Sequence, residues 1–262
     1  VVGTRPEIIR LSRVMARLDE HCEHVLVHTG QNYDYELNQV FFDDLGVRKP
    51  AHFLGAAGGS AVATIGNIII EVDKVLARTG AHQVVLVGNS RGGNAIRKYV
   101  QNFGGAPKVS VAVLGGTPNH GVWALKDFRP NSEFNGVSPF LVALNAPKGA
   151  NGDEVTPGVR WMTIRSDNND KFAQPDGVWI GAKGKPTNVS FDGPALKGAK
   201  NVVLPQRDHR EVSFHPEAFD QTYEFITGRP AATLAITTES RPVLDGKLSG
   251  IGPGGPSNLP LV

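Results

Sequence analysis

Apolar residues follow two alternating rhythms along the chain. Ile8, Leu11, Met15 and Leu18 recur at intervals of three and four, the spacing of one helix face. Short unbroken apolar runs such as "HVLVHTG" (24–30) and "VVLV" (84–87) have strand length and strand composition. The pattern predicts a first helix opening at "TRPE", where Thr4 and Glu7 have capping-box spacing and Pro6 lies in the first turn. A strand over 24–30, a helix over 36–46, a strand over 51–54 and a helix over 63–80 follow, the last ending at Gly80. The strand 84–87 runs into a helix opened by Gly92 and Gly93 and carrying Ile96 and Tyr99. Beyond it lie a strand over 108–116, an irregular stretch of about forty residues, strands over 159–165 and 201–205, and a closing helix over 216–228. Repeating strand–helix units predict an α/β fold, a single three-layer domain with a mostly parallel, doubly wound sheet. From Arg229 the chain turns to Thr-, Pro- and Gly-rich strand-like sequence that reads as the start of another module.

Composition changes this picture little. The 262 residues are 40% hydrophobic and 20% charged, enough for one large α/β domain or two small ones. A net charge of +2 without a Lys or Arg run gives no nucleic-acid or membrane-surface signal. The longest apolar runs are strand length, so no transmembrane segment is expected. No leader pattern opens the chain, and both ends fall inside a pattern, so it reads as clipped at both; neither compartment nor oligomeric state follows. Cys22 is the single cysteine, which leaves no intrachain disulfide and predicts a half-buried thiol. In "HCEHVLVH", His24 and His28 share a strand face about 13 Å apart, too far for a common ion, so no metal is expected. No cofactor is expected either.

The chemistry concentrates in "VVLVGNSRGGNAI" (84–96). Strand, G-x-S-x-G, then helix is how a hydrolase lifts a nucleophilic serine clear of a sheet edge, beside a helix N-terminus that favours developing negative charge. Ser90 would need a histidine base held by a carboxylate, each on a loop after a later strand. "RSDNNDKFAQPDG" (165–177) offers Asp167, Asp170 and Asp176, and "LPQRDHREV" (204–212) offers His209. His215 lies next to the closing helix, and His120 in "GGTPNHG" is placed to line the cleft. The irregular stretch carries Trp123, Phe128, Phe134 and Phe140 without a period, as an apolar cover or lid would.

From about residue 75 onward the chain resembles bacterial lipase and polyhydroxyalkanoate-depolymerase-like α/β-hydrolases. The resemblance is carried by "VVLVGNSRGGNAIRKYV", "AVLGGTPNHGVW", "SEFNGVSPFLVALN", "RSDNNDKFAQPDG" and "LPQRDHREVSFHPEAF", and covers about seventy per cent of the chain. It implies Ser90 as nucleophile, His209 as base and Asp170 as the orienting acid, with Asp167 the runner-up. It also implies hydrolysis of acylglycerol or polyester-type esters, small or polymeric, and a secreted protein. The tail "PVLDGKLSG…SNLPLV" resembles the start of that family's β-rich extension.

Residues 1 to about 76 resemble something else. "VVGTRPEIIRLSRVMARL", "HVLVHTGQNYDYELNQVFFDDLGVRKP" and "TIGNIIIEVDKVL" are similar to the N-terminal half of UDP-N-acetylglucosamine 2-epimerases. The chain therefore reads as a chimera: an epimerase-like Rossmann half (1–76), a hydrolase catalytic half (77–228) and a partial β-rich extension (229–262). Its opening strand is expected beside the serine strand in one continuous sheet. The oxyanion donors would be the backbone N–H groups of Arg91 and Arg5, because Pro6 has no N–H and Glu7 is engaged by the Thr4 cap. A foreign loop that fails to supply the second donor costs about 3 kcal/mol, two to three orders of magnitude in rate. A scaffold without turnover, or a UDP- or phosphate-binding module using Thr4 and Arg5 at a helix N-terminus, is the alternative.

Overall fold

The computed structural model describes residues 1–3, 5–30, 42–80, 84–167, 169–173, 186–236, 238, 247–252 and 255–260. Its elements alternate as an α/β chain should. They are α1 (Arg5–His21), β1 (Val27–His28), β2 (His52–Phe53), α2 (Ala61–Arg78), β3 (Val84–Asn89), α3 (Arg91–Asn102) and β4 (Val109–Gly115). Then come α4 (Pro139–Asn145), β5 (Arg160–Ser166), β6 (Lys200–Leu204), α5 (Glu211–Phe214), α6 (Pro216–Thr227), β7 (Lys247–Gly252) and β8 (Gly255–Pro260). None of the described helices is long and apolar enough to cross a membrane. The chain divides into two compact units, one of Val1–Leu86, Tyr99–Val111 and Thr156–Val159, the other of Val87–Lys98, Ala112–Val155 and Arg160–Val262.

In the first unit, β1 and β2 pair in parallel, with Val27 opposite His52 and His28 opposite Phe53. Val2 joins them by a single bridge, its N–H on Val27 O and its C=O taking the Thr29 N–H, both at 2.8 Å. The expected single sheet is thus corrected: β1 pairs with β2, and β3 to β6 form a separate four-stranded sheet. The core gathers Val2, Ile8, Met15, Leu26, Phe42 and Val47. Ile8, Ser12 and Met15 form the buried stripe of α1, whereas Leu11 and Leu18 flank it in the open. Glu7 accepts the Gly3 N–H at 2.8 Å; Thr4, its expected partner, lies outside the described residues. Buried His28 stacks on Phe53 at 5.0 Å and accepts the Gly30 N–H on Nδ1. Burial pushes its pKa down. β1 is shorter than the predicted 24–30, and the helix expected over 36–46 is described only at 42–44. Cys22 is exposed rather than half-buried, because α1 ends at His21 with that face in solvent.

The four-stranded sheet runs in the order β3-β4-β5-β6. β4 and β5 are buried almost throughout, the pattern of strands covered on both faces. β3 alternates half-buried and exposed residues, as a strand at the edge of the described sheet does. β5 and β6 pair in parallel from Met162–Lys200 to Ser166–Leu204, so the loops after both strands leave from the same end. β7 and β8 form an antiparallel hairpin, in keeping with the strand-like tail.

Candidate active site

One residue separates β3 from α3. That residue, Ser90, has φ 55°, a left-handed conformation costing a non-glycine residue about 1 kcal/mol or more. Its N–H bonds Gly115 O at 2.9 Å, and its C=O accepts the Gly93 N–H at 3.1 Å, which holds the turn in place. A side chain on Gly88 would come within 2.7 Å of Ile96 Cδ1 and 2.9 Å of the Gly92 backbone, so the strand-to-helix reversal requires glycine there. Arg91 opens α3, and its N–H is among the donors a helix leaves without an internal acceptor. Its guanidinium pairs with Glu133 at 2.8 Å and lies over the Phe134 ring.

The Asp170 carboxylate is wholly buried at the end of the β5 loop. Its Oδ1 accepts the N–H groups of Phe172 and Ala173, each at 3.0 Å. His209 Nδ1 lies 2.8 Å from Oδ1 and 3.0 Å from Oδ2. A carboxylate only accepts, so Nδ1 carries the proton and Nε2 is left as the basic nitrogen. A side chain on Gly116, itself at φ 55°, would meet Asp170 Oδ2 at 2.9 Å and His209 O at 3.1 Å. The pair therefore rests on bare backbone.

Four further side chains hold this arrangement. Asp208 and Glu211 bracket His209 as a capping box: Asp208 Oδ1 accepts the Arg210 and Glu211 N–H groups at 2.8 and 2.9 Å, and Glu211 Oε2 accepts the Asp208 N–H at 2.8 Å. The backbone N–H groups of Glu211 and Arg210 push the Asp208 pKa down to about 2. Asn89 Nδ2, beside the serine, reaches Gly115 O at 3.0 Å, His209 O at 3.2 Å and Ser213 Oγ at 2.7 Å. Asp167 accepts the Gln206 N–H at 2.8 Å and the Ser166 hydroxyl at 3.2 Å, tying the β5 loop to the β6 loop. Among the described residues no hydrogen bond joins Ser90 Oγ to the His209 ring; the link between elbow and histidine loop is Asn89.

A cavity of about 240 Å³ opens on Ser90, lined among the described residues by Pro118, Val122, Trp123, Arg129, Phe134 and Phe172. A wider groove of about 500 Å³ opens on His209, lined by Asn169, Lys171, Phe172, Asp208 and Arg210. The irregular stretch proves to be a bonded scaffold that includes the short helix α4, which its lack of a period concealed. Buried Asn135 organises it, donating from Nδ2 to Leu125 O, Phe128 O and Arg129 O while Oδ1 accepts the Leu125 and Val137 N–H groups. Trp123 and Phe134 face the serine cavity; Phe128 packs edge-on against Trp123, and Phe140 belongs to α4.

The structure brings Asp170, not Asp167, against His209, and leaves Asp176 outside the described residues. His120 turns away from the serine cavity to a separate pocket beside Val189, Ser190 and Gly193 and pairs with Glu154 at 2.8 Å. His215 caps α6 by accepting the Glu217 N–H. Arg5 begins α1 in the other unit. Asn89 carried no sequence signal, since its acceptors lie 26 to 124 residues away. The D-x-x-E spacing of "DHRE" was such a signal for Asp208 and Glu211.

Comparison with known proteins bears on the other end of the chain. Residues 16–91 match the UDP-N-acetylglucosamine 2-epimerase family. A UDP-N-acetylglucosamine 2-epimerase homolog of Methanococcus maripaludis is 31% identical over 90 residues, which are 34% of this chain and 25% of the relative. The UDP-2,3-diacetamido-2,3-dideoxy-D-glucuronate 2-epimerase of Pseudomonas aeruginosa is 30% identical over 92 residues, 34% of this chain and 26% of the relative. The chain thus spans about a quarter of the length of these curated relatives. Solved structures similar to it include Methanocaldococcus jannaschii UDP-GlcNAc 2-epimerase in complex with UDP-GlcNAc and UDP, at 26% identity, TM-score 0.34, 52% of this chain and 35% of that one. They also include Aspergillus fumigatus lipase B, at 15% identity, TM-score 0.46, 68% of this chain and 45% of that one. An esterase of Exiguobacterium antarcticum matches at 15% identity, TM-score 0.37, 63% of this chain and 74% of that one.

Proposed function

We propose that the chain is a serine ester hydrolase whose reacting groups are Ser90, His209 and Asp170, in a catalytic half (77–228) joined to an epimerase-like half (1–76). The observation that carries this reading is the His209 Nδ1–Asp170 pair at 2.8 Å, in the same unit as a serine at φ 55° between strand and helix. In this reading Ser90 Oγ attacks the ester carbonyl while His209 Nε2 takes its proton, and Asp170 stabilises the imidazolium that forms. The Arg91 N–H receives the oxyanion. His209 then returns the proton to the departing alkoxide, and water, activated by the same imidazole, releases the acid from the acyl-serine. The second oxyanion donor expected at Arg5 belongs to the other unit, and a hydrolase with one donor fewer turns over two to three orders of magnitude more slowly than an efficient esterase.

Hydrolysis of p-nitrophenyl esters by the wild type and by Ser90→Ala tests this. Slow, saturable wild-type turnover that Ser90→Ala abolishes is the expected result; equal rates would remove the serine from the chemistry. The match over 16–91 bears on a second reading, a UDP- or phosphate-binding module, whose expected groups Thr4 and Arg5 lie ahead of the matched span. Isothermal titration with UDP separates the two, since the hydrolase reading predicts no saturable heat.

A further inference from the structure

Phe172 occupies a position that neither reading explains. It lines both the 240 Å³ cavity on Ser90 and the 500 Å³ groove on His209. Its ring leans on the His209 imidazole with centroids 4.7 Å apart and planes 33° apart. Its backbone is not free to drift, because the Asp170 oxygen that faces His209 also accepts the Phe172 N–H. The carboxylate that orients the imidazole thus also fixes the neighbouring ring.

The two spaces differ in chemistry. Around Ser90 the lining is Pro118, Val122, Trp123 and Phe134, with Arg129 the charged member among the described residues. Around His209 it is, among the described residues, Phe172 with Asn169, Lys171, Asp208 and Arg210, whose polar heads rim a groove with a largely apolar wall. An ester spanning both has its carbonyl carbon at the serine and its alkoxide oxygen toward the histidine that protonates it. Its acyl chain then belongs in the cavity on Ser90 and its alcohol part in the groove on His209.

We infer that Phe172 is a specificity-determining residue: its ring closes the acyl pocket at the histidine side, restricting the substrate to esters of short acyl chains. The inference rests on the proposed reading of Ser90 and His209 as the reacting pair. Shortening residue 172 opens the pocket into the groove, and enlarging it shrinks the pocket. A pocket that gains room for a few methylenes changes discrimination between chain lengths by about tenfold or more.

Two readouts test this on the full chain. The first is the ratio of p-nitrophenyl octanoate to p-nitrophenyl butyrate hydrolysis in wild type, Phe172→Ala and Phe172→Trp. The second is titration of Trp123 fluorescence with 1-butanol, 1-hexanol and 1-octanol, which needs no turnover and whose signal is lost in Trp123→Phe. The ratio rises about tenfold in Phe172→Ala and falls in Phe172→Trp, and the best-bound alkanol lengthens and shortens in step. Phe172→Leu substitutes if Phe172→Ala does not fold. An unchanged chain-length ranking across the variants overturns the inference. If no ester is hydrolysed yet the alkanol ranking moves with residue 172, the partition stands and the hydrolase reading falls.

Discussion

Ser90 concentrates the cost of the proposed chemistry in one backbone conformation. At φ 55° a serine is strained where glycine is not. Ser90→Gly is therefore expected to raise stability by about 1 kcal/mol while abolishing ester hydrolysis. Ser90→Ala abolishes hydrolysis without that gain; denaturant melts of the two variants check the difference, and equal midpoints would show the turn unstrained. The loops carrying Ser90, Asp170 and His209 were legible because each follows an apolar run of strand length, whereas the choice of Asp170 within its loop came from the resemblance and not from the pattern. Asn89 was not. It reads as the variable residue of G-x-S-x-G, and its work is long-range, binding His209 O and Ser213 Oγ. Asp167 was legible as a carboxylate in the right loop, but only the Gln206 N–H on its oxygen separates a loop clamp from a triad acid.

At the scale of elements, the strands expected over 108–116, 159–165 and 201–205 lie within a residue of β4, β5 and β6, and the helices expected over 63–80 and 216–228 within two residues of α2 and α6. α2 begins where Ser60 accepts the Ala63 N–H and stops before Gly80 at φ 67°, close to the expected bounds. The ends of β1 were harder to read, since a ladder stops where its partner does, and β2 offers it only two residues. The 117–157 stretch hid its order for a related reason: Asn135 and Arg97 organise it through single buried side chains rather than a repeating pattern. Arg97 donates to Asn119 Oδ1, Leu144 O and Asn145 Oδ1, and burial lowers its pKa to about 10, so it stays charged at neutral pH. His120 belongs to the same scaffold, and its hydrogen bond with Glu154 raises its pKa above the ordinary 6.5. A raised value means the folded state holds the proton more tightly. The stabilisation is therefore full below about pH 6.5 and is lost as pH rises through the folded value. The thermal midpoint of His120→Gln should fall below wild type by more at about pH 6 than at about pH 9. A constant difference would show that His120 acts through packing alone.

At the scale of the molecule, α/β alternation was readable from periodicity, whereas continuity of the sheet was not. Strand order depends on which edges find partners, and among the described residues Val2 has a single bridge, to His28. The epimerase-like resemblance at the front has its counterpart in the family match over 16–91, and the proposed reacting groups lie in the second unit, Ser90 inside that span and Asp170 and His209 beyond it. The proposed hydrolase therefore stands or falls on whether that unit activates a serine. Labelling of the full chain with a fluorophosphonate, read by intact mass and by the modified peptide, is the most direct measurement. A single adduct on Ser90, formed by the wild type and lost in His209→Ala, is the predicted result. No wild-type adduct, or one formed equally well without His209, would contradict it.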